Sequence, residues 1–368
     1  EEDRLSWLRL IRSRRVGVAT VQRLLQEHGS ATAALAALPE IARASGLPGY
    51  EPFGEKDAQA ELRAGQRAGA RLVFRGADDY PALLALVPDA PPVLWALGDP
   101  ALASRPMVSL VGARNASSLG QRMARRLAED LGAAGHVVVS GLARGIDTAA
   151  HRASLATGTI AVMAGGIDVI YPHENAGLAT EIGAKGLLLS EQPPGLDPQA
   201  RHFPLRNRII SGLSRAVVVV EAALQSGSLI TARIALDQGR EVMAVPGHPF
   251  DARASGCNAL IRDGALLVRG AEDVLAALAA PSTGRPPAPE AQAAEPSHEP
   301  TSPPPICSEG GTEVHDLILN QLGPSPLAED QLIRDLALPA ARIAPEILAL
   351  ELDGRIVRQA GGLLSRAS

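Results

Sequence analysis

The chain has 368 residues, 46% of them hydrophobic, 20% charged and only 2% aromatic, with a formal net charge of −5. That length holds two or three domains, and the charge excludes a globally basic polyanion binder, so any nucleic-acid surface must be local. Cys257 and Cys307 are the only cysteines and lie far apart; this excludes a disulfide framework or a zinc cluster and fits a reducing cytoplasm, and no apolar run reaches the about 18 residues of a membrane span.

Ser6 to about Ala70 reads as all-helical. Trp7, Leu8 and Ile11 open an amphipathic helix that Val16-Gly17-Val18 breaks. Thr20 is placed to cap a second helix, Val21 to His28, which Gly29 ends. Ala31 to Leu38 and Glu55 to Ala68 supply further helix. Helix, glycine hairpin, helix outlines a helix-hairpin-helix or SAM-like module, which binds DNA backbone or protein; a plain helical cap on the next domain has the same outline.

Arg71 to Arg75 and Val93 to Leu97 are short strands around a turn at Asp79-Tyr80-Pro81, placed at the edge of the following sheet. Pro106 to Asp147 is the organising unit: strand, glycine turn, helix, strand, glycine turn. Met107 to Val111 is an apolar run suited to a buried parallel strand. Leu119 to Ala134 keeps Met123, Leu127 and Leu131 on one face, with Ser117 or Ser118 as cap. Strand and helix then alternate to Ala279. The predicted fold is α/β, an extended Rossmann-like doubly wound parallel sheet. Pro281 to about Ser308, rich in Pro, Ala, Glu and Ser, reads as a flexible linker. Helices at Thr312 to Leu322, Leu327 to Leu336 and Pro339 to Leu352, followed by a small hairpin, outline a winged helix. The expected domains are residues 1–70, 71–280, a linker 281–308, and 309–368.

Glycine-bearing turns at Gly112-Ala113-Arg114, Ser140 to Gly145, Gly165-Gly166 and Ser226-Gly227-Ser228 all follow predicted strands. Strand carboxyl ends are where open α/β sheets bind ligands, and backbone N–H groups there suit phosphate. The four turns are therefore expected to converge on one phosphate-lined groove. The spacing is not GxGxxG, so no dinucleotide fingerprint is present. The densest cationic run is Arg201-His202-Phe203-Pro204-Leu205-Arg206-Asn207-Arg208. It offers cations for a polyanion and a ring for a base, or else a solvated helix start with Phe203 in the core. Glu191, Glu221, Asp147, Asp168, His151, His173 and His248 lie near strand ends, yet form no nucleophile–base constellation. There is no Walker lysine, zinc spacing or GxSxG elbow.

These motifs as an ordered series closely resemble the DNA-processing protein A (DprA, or Smf) family. They are Val111 to Arg114, Ser140 to Asp147 with Ala150-His151, Gly165-Gly166 with Tyr171-Pro172 and Asn175, and Phe203 to Gly212. Ser226 to Ala232, Pro246-Gly247 and Gly256 to Ile261 complete the series. The resemblance spans about residues 75 to 280. It implies a non-enzymatic, cytoplasmic single-stranded DNA binder without metal or cofactor. Such a protein protects incoming strands during natural transformation (competence) and recombination and helps load the RecA recombinase. It places DNA contacts on Gly112, Arg114, Arg201, Phe203, Arg206 and Arg208. Gly141, Arg144, Asn207, Gly227 and Ser228 complete the candidate DNA-binding set, and Leu260 and Ile261 fall in a segment resembling the family's homodimer surface. Where some family members carry a lysine near the Tyr-Pro-x-x-Asn segment, this chain has His173, Glu174 and Ala176. The expected recognition helix of the C-terminal domain, Pro339 to Leu352, carries Arg342 but also Glu346 and Glu351, so that domain reads as a protein-contact module or weak accessory. Two other classes stay open: a nucleotide-processing hydrolase in the same groove, and an adaptor that binds only protein.

Overall fold

The computed structural model describes residues 2–44 and 49–279, and a subset of residues between 314 and 366. The chain divides into two compact units, residues 1–285 and 286–368. The first unit opens with four helices: α1 (Glu2–Arg12), α2 (Val18–His28), α3 (Ala31–Ala44) and α4 (Glu55–Arg67). The expected cap at Thr20 is corrected, because Gly17 is the N-cap of α2 and Thr20 lies inside the helix. The α3 helix runs past Leu38 and through Pro39, carried by the buried stripe Ala34, Leu38 and Ala42.

A nine-stranded sheet follows, built from β1 (Arg71–Phe74), β2 (Val93–Gly98), β3 (Met107–Gly112), β4 (Val137–Ser140), β5 (Thr159–Val162), β6 (Leu187–Ser190), β7 (Ala216–Glu221), β8 (Glu241–Ala244) and β9 (Leu266–Leu267). The intervening helices are α5 (Ala82–Ala85), α6 (Ser118–Ala133), α7 (Ile146–Ser154), α8 (Ala176–Lys185), α9 (His202–Leu213), α10 (Gly227–Asp237), α11 (Ser255–Arg262) and α12 (Ala271–Ala279). Strand order is β1-β2-β6-β5-β4-β3-β7-β8-β9. The fold is the expected Rossmann-like α/β architecture. The sheet is mixed rather than wholly parallel, since β2 runs antiparallel to both β1 and β6.

Successive strand residues point to opposite faces. Val137, Val139, Val217 and Val219 pack into one core with Ile209, Ile210, Ala232 and Ala235 of α9 and α10. Val138, Val218 and Val220 pack into another with Leu127, Leu131 and Ile146 of α6 and α7. The strands are buried on both faces, so these segments read as unbroken apolar runs. The N-terminal helices have a core of their own around Leu10, Leu24 and Leu38. Leu8 and Ala58 also join Trp95 and Leu188 of the sheet, and the indole of Trp95 donates to Glu61 at 3.2 Å.

Chain order runs outward from β3 to β6 on one side, then returns to β7 beside β3. The β3–β7 boundary is the topological switch point, where the turns leaving two neighbouring strands diverge and open a crevice.

In the second unit, β10 (Leu327–Ala328), β11 (Ile356–Gln359) and β12 (Leu363–Arg366) form a sheet of order β10-β12-β11. Helical residues Val314, Ile318, Leu332, Ile343 and Ile347 share its core with Ile356 and Leu364. Leu327 was expected to start a helix; it pairs instead with Leu364, which gives the winged helix a third strand. The expected linker, Cys307 and Glu351 lie outside the described residues. Among the described residues no helix is long and apolar enough to cross a membrane.

Candidate nucleic-acid interface

A groove of about 630 Å³ opens at the switch point. The β3–α6 turn supplies Gly112, Ala113 and Arg114, the β4–α7 turn Ala143 and Asp147, and the β7–α10 turn Ser226, Gly227 and Ser228. The first turns of α9 bring Phe203, Arg206 and Asn207, and the loop after β8 brings Arg253. Three of the four glycine turns thus meet. Gly165-Gly166 does not join them: its neighbours are Pro193, Gly195 and Leu196, in the loop after β6.

At one end of the groove lies a small pocket lined by Arg114, Gly141, Ala143, Arg144, Tyr171 and Phe203. The Arg114 guanidinium lies over the Phe203 ring, 5.0 Å from its centroid. Tyr171 meets the same ring edge-on, with centroids 5.6 Å apart. Arg114 and Arg201 are exposed, and Phe203 is half-buried at the wall. A ring face and a cation side by side suit a base followed by its phosphate.

Two arginines of the cationic run are corrected. Successive residues of a helix point about 100° apart, so the run cannot present one charged face. Arg206 turns inward, with 7% of its surface exposed. Its Nη1 donates to the carbonyls of Gly141 and, at 2.6 Å, Val162, which ties the ends of β4 and β5 together. Arg208 is equally buried and pairs with Glu191 at 2.7 Å and Asp89 at 3.4 Å. Neither is a free surface cation. Arg144 is exposed but forked onto Glu174, at 2.5 and 2.7 Å. The acidic residue at the segment that departs from the family pattern therefore also masks a neighbouring positive charge.

The Ser140–Gly145 turn is held from beneath by buried polar groups. Asp147 accepts from the amides of Gly141 at 3.1 Å and Ala143 at 3.2 Å. Burial pushes its carboxyl above the usual range, opposed by the charge of Arg206 and by these amides. His151 accepts from the Leu142 amide at 3.2 Å, and its other nitrogen meets Thr159 at 2.7 Å. Burial pushes the His151 imidazole down to about 3, so it is neutral. Leu142 has φ 57°, a costly conformation for a branched side chain, and this network fixes it. Two glycines allow close approach here, and Gly145 also has φ 75°. A Cβ on Gly141 would stand 2.1 Å from Arg206 Nη1, and one on Gly145 2.2 Å from the Ala113 carbonyl.

The remaining strand-end carboxylates are occupied. Glu191 serves Arg208, Asp168 accepts from the Gly195 amide at 2.7 Å, and Glu221 accepts from the Ser117 amide and hydroxyl at 2.9 and 2.5 Å. Gly227 and Ser228 open α10 at the groove, capped by Ser226. Asn207 lines the groove half-buried. Leu260 and Ile261 lie elsewhere, half-buried on α11 against the α9–α10 core. The sequence reading missed Arg253, an exposed arginine on the groove that is paired with Asp251 at 3.1 Å. The signal was its place after β8, the same strand-end rule that found the glycine turns. Among the described residues no group of three or more His, Cys, Asp or Glu is arranged to hold a metal ion.

Comparison with known proteins agrees with this layout. Residues 71–279, more than half of the chain, match the model of DNA recombination-mediator protein A. Residues 1–64 match a DprA-like N-terminal HHH domain and residues 285–362 a DprA winged helix domain. The DNA processing protein DprA of Bacillus subtilis is 47% identical over 216 residues, 58% of this chain and 73% of that one. The crystal structure of DNA processing protein A from Streptococcus pneumoniae superposes with a TM-score of 0.57 at 42% identity, covering 61% of this chain and 77% of that one. DNA processing protein A from Helicobacter pylori, described for its single-stranded DNA binding mode, superposes with a TM-score of 0.52 at 29% identity, covering 56% and 95%. In sequence and in fold, the chain belongs to the DNA-processing protein A (DprA/Smf) family.

Proposed function

We propose that the switch-point groove binds single-stranded DNA, and that the chain is a DNA-processing protein of natural transformation rather than an enzyme. The observation that carries this reading is the Arg114–Phe203–Tyr171 cluster at the mouth of the switch-point groove. A base can stack on the ring while Arg114 meets a phosphate. The single-strand binding of the Helicobacter pylori relative supports the same ligand. The contacts proposed are Gly112, Arg114, Arg144, Arg201, Phe203, Asn207, Gly227, Ser228 and Arg253, with Gly141 and Arg206 as the floor. Strand protection, handover to RecA, a cytoplasmic setting and the division at residues 70, 280 and 308 belong to the same proposal. So does a homodimer around Leu260 and Ile261.

The glycine turns would equally suit a nucleotide hydrolase. The strand-end carboxylates Glu191, Asp168, Glu221 and Asp147 each hold a structural partner, which favours the binding reading over a hydrolase that would use one of them as its base. A gel shift comparing single- and double-stranded oligonucleotides is the test. Preferential retention of the single strand is expected, and turnover of nucleoside monophosphates would instead favour the hydrolase.

A further inference from the structure

A second groove, about 590 Å³, opens at the same carboxyl edge of the sheet, beside α6. Its floor is Ser117, Gly120, Val220 and Glu221; one wall is the outer face of α6, and the other is the loop after β8. Its size lies within the about 300–1,000 Å³ of ligand sites. Nothing in the first groove's role accounts for it.

The charges of this groove sort into those already neutralised and those left over. Asp251 is paired with Arg253 at 3.1 Å and Arg126 with Asp130 at 3.6 Å, while Glu221 on the floor accepts from Ser117 and keeps its charge. Arg122 and Arg125 are exposed and make no ion pair among the described residues. Glu129, two turns along α6 from Arg122, is the one wall carboxylate without such a partner. The loop of the opposite wall also carries Phe250, next to the lining residues His248 and Asp251 in sequence. Phe250 is 95% exposed, and its ring sits 5.5 Å from that of His248. An aromatic side chain this exposed gains nothing from burial in the free protein, whereas it offers an open face to a base.

The loop joins the two grooves. Arg253 lines the first groove, while Asp251 and Ala254, on either side of it in sequence, line the second. A chain leaving the first groove over Arg253 enters the second between the loop after β8 and the unpaired arginines of α6. We propose that the α6 groove takes a second stretch of the same single strand, with phosphates on Arg122 and Arg125 and a base on Phe250. This rests on the first groove's being a single-strand site. The occupant follows from that continuity and from the two exposed, unpaired arginines of α6; a duplex is too stiff to turn from one groove into the other.

Salt titrations of the full chain on two oligo-dT strands test this. One strand is short, within the about 4–16 nucleotides that a single-strand groove occupies, and the other is several times longer. The Arg122→Ala/Arg125→Ala double variant should bind the short strand like wild type. On the long strand its log–log salt slope should flatten by about 1.4, for two lost phosphates. Phe250→Ala should weaken the long strand about tenfold with the slope kept. All three side chains are exposed, so folding is not at stake. Arg114→Ala should weaken both strands. Wild-type binding of the long strand by both α6-groove variants overturns the proposal while leaving the first groove untouched. A short strand weakened by the double variant but not by Arg114→Ala overturns both readings, as does a wild type that binds neither strand.

Discussion

Arg114 holds its guanidinium over the face of Phe203, 5.0 Å from the ring centroid, although the two come from different turns of the sheet's carboxyl edge. The cation is exposed and the ring half-buried, so the same pair presents charge and stacking surface together. The two contributions separate in a salt titration. Arg114→Ala should flatten the log–log slope for a single strand by about 0.7. Phe203→Ala should lower affinity by about 1–3 kcal/mol and leave the slope unchanged. Phe203→Ala binding like wild type would show that the ring is only part of the wall.

Arg208 should behave as a structural residue. It is buried against Glu191, and Arg208→Ala strands that carboxylate. The expected cost is about 3 kcal/mol, the low end for a broken buried pair because Glu191 is partly exposed. Urea melts read this loss. The salt slope of DNA binding should stay at the wild-type value, and a slope reduced by a full contact would return Arg208 to the interface.

Gly141→Ala probes the close approach of Arg206 beneath the turn. The added Cβ would stand 2.1 Å from a guanidinium nitrogen in a buried setting. Overpacking of this kind costs about 1–3 kcal/mol. Thermal melts should show that loss together with weaker strand binding, because displacing Arg206 releases the Gly141 carbonyl. A variant as stable as wild type would mean that the turn relaxes freely.

His151 makes the fold sensitive to acid. Its pKa is about 3 in the fold and 6.5 when unfolded, so the unfolded chain binds the proton first. The stability it contributes is complete above pH 6.5 and is lost as pH falls from 6.5 towards 3, by about 1.4 kcal/mol per unit. Asp147 acts in the opposite sense as pH falls towards its unfolded value, since burial raises its pKa and the fold takes up that proton first. Urea melts at pH 7, 6 and 5 should therefore steepen with acid in wild type and flatten in His151→Asn. His136 and His202, also lowered by burial, leave a residual slope. Parallel profiles for variant and wild type would rule His151 out.

The proposed dimer is better tested at β9 than on α11. Ile261 packs against the core, so Ile261→Asp risks unfolding the unit. Leu266 and Leu267 are 47% and 44% exposed on the edge strand that follows α11. Leu267→Lys should give a monomer by light scattering at unchanged melting temperature. A persistent dimer would move the interface away from this edge.

The local order of this protein was legible in its sequence. Strands buried on both faces must read as unbroken apolar runs, and turns that reverse direction tightly must carry glycine, so Met107–Gly112 and Gly141–Gly145 could be placed from composition alone. The family series was legible for the same reason, since its motifs lie on those turns. What the sequence could not decide was direction in space. Arg201, Arg206 and Arg208 are chemically alike and adjacent, yet one faces solvent and two face the interior, because the rotation of α9 on the sheet sets which side each points to. Arg253 reaches the groove, and Gly165-Gly166 leaves it, only because strand order puts β7 and β8 beside β3 and sends β5 to the other side. A side chain's role in a groove depends on long-range strand pairing, and that pairing is a property of the folded chain rather than of any local window.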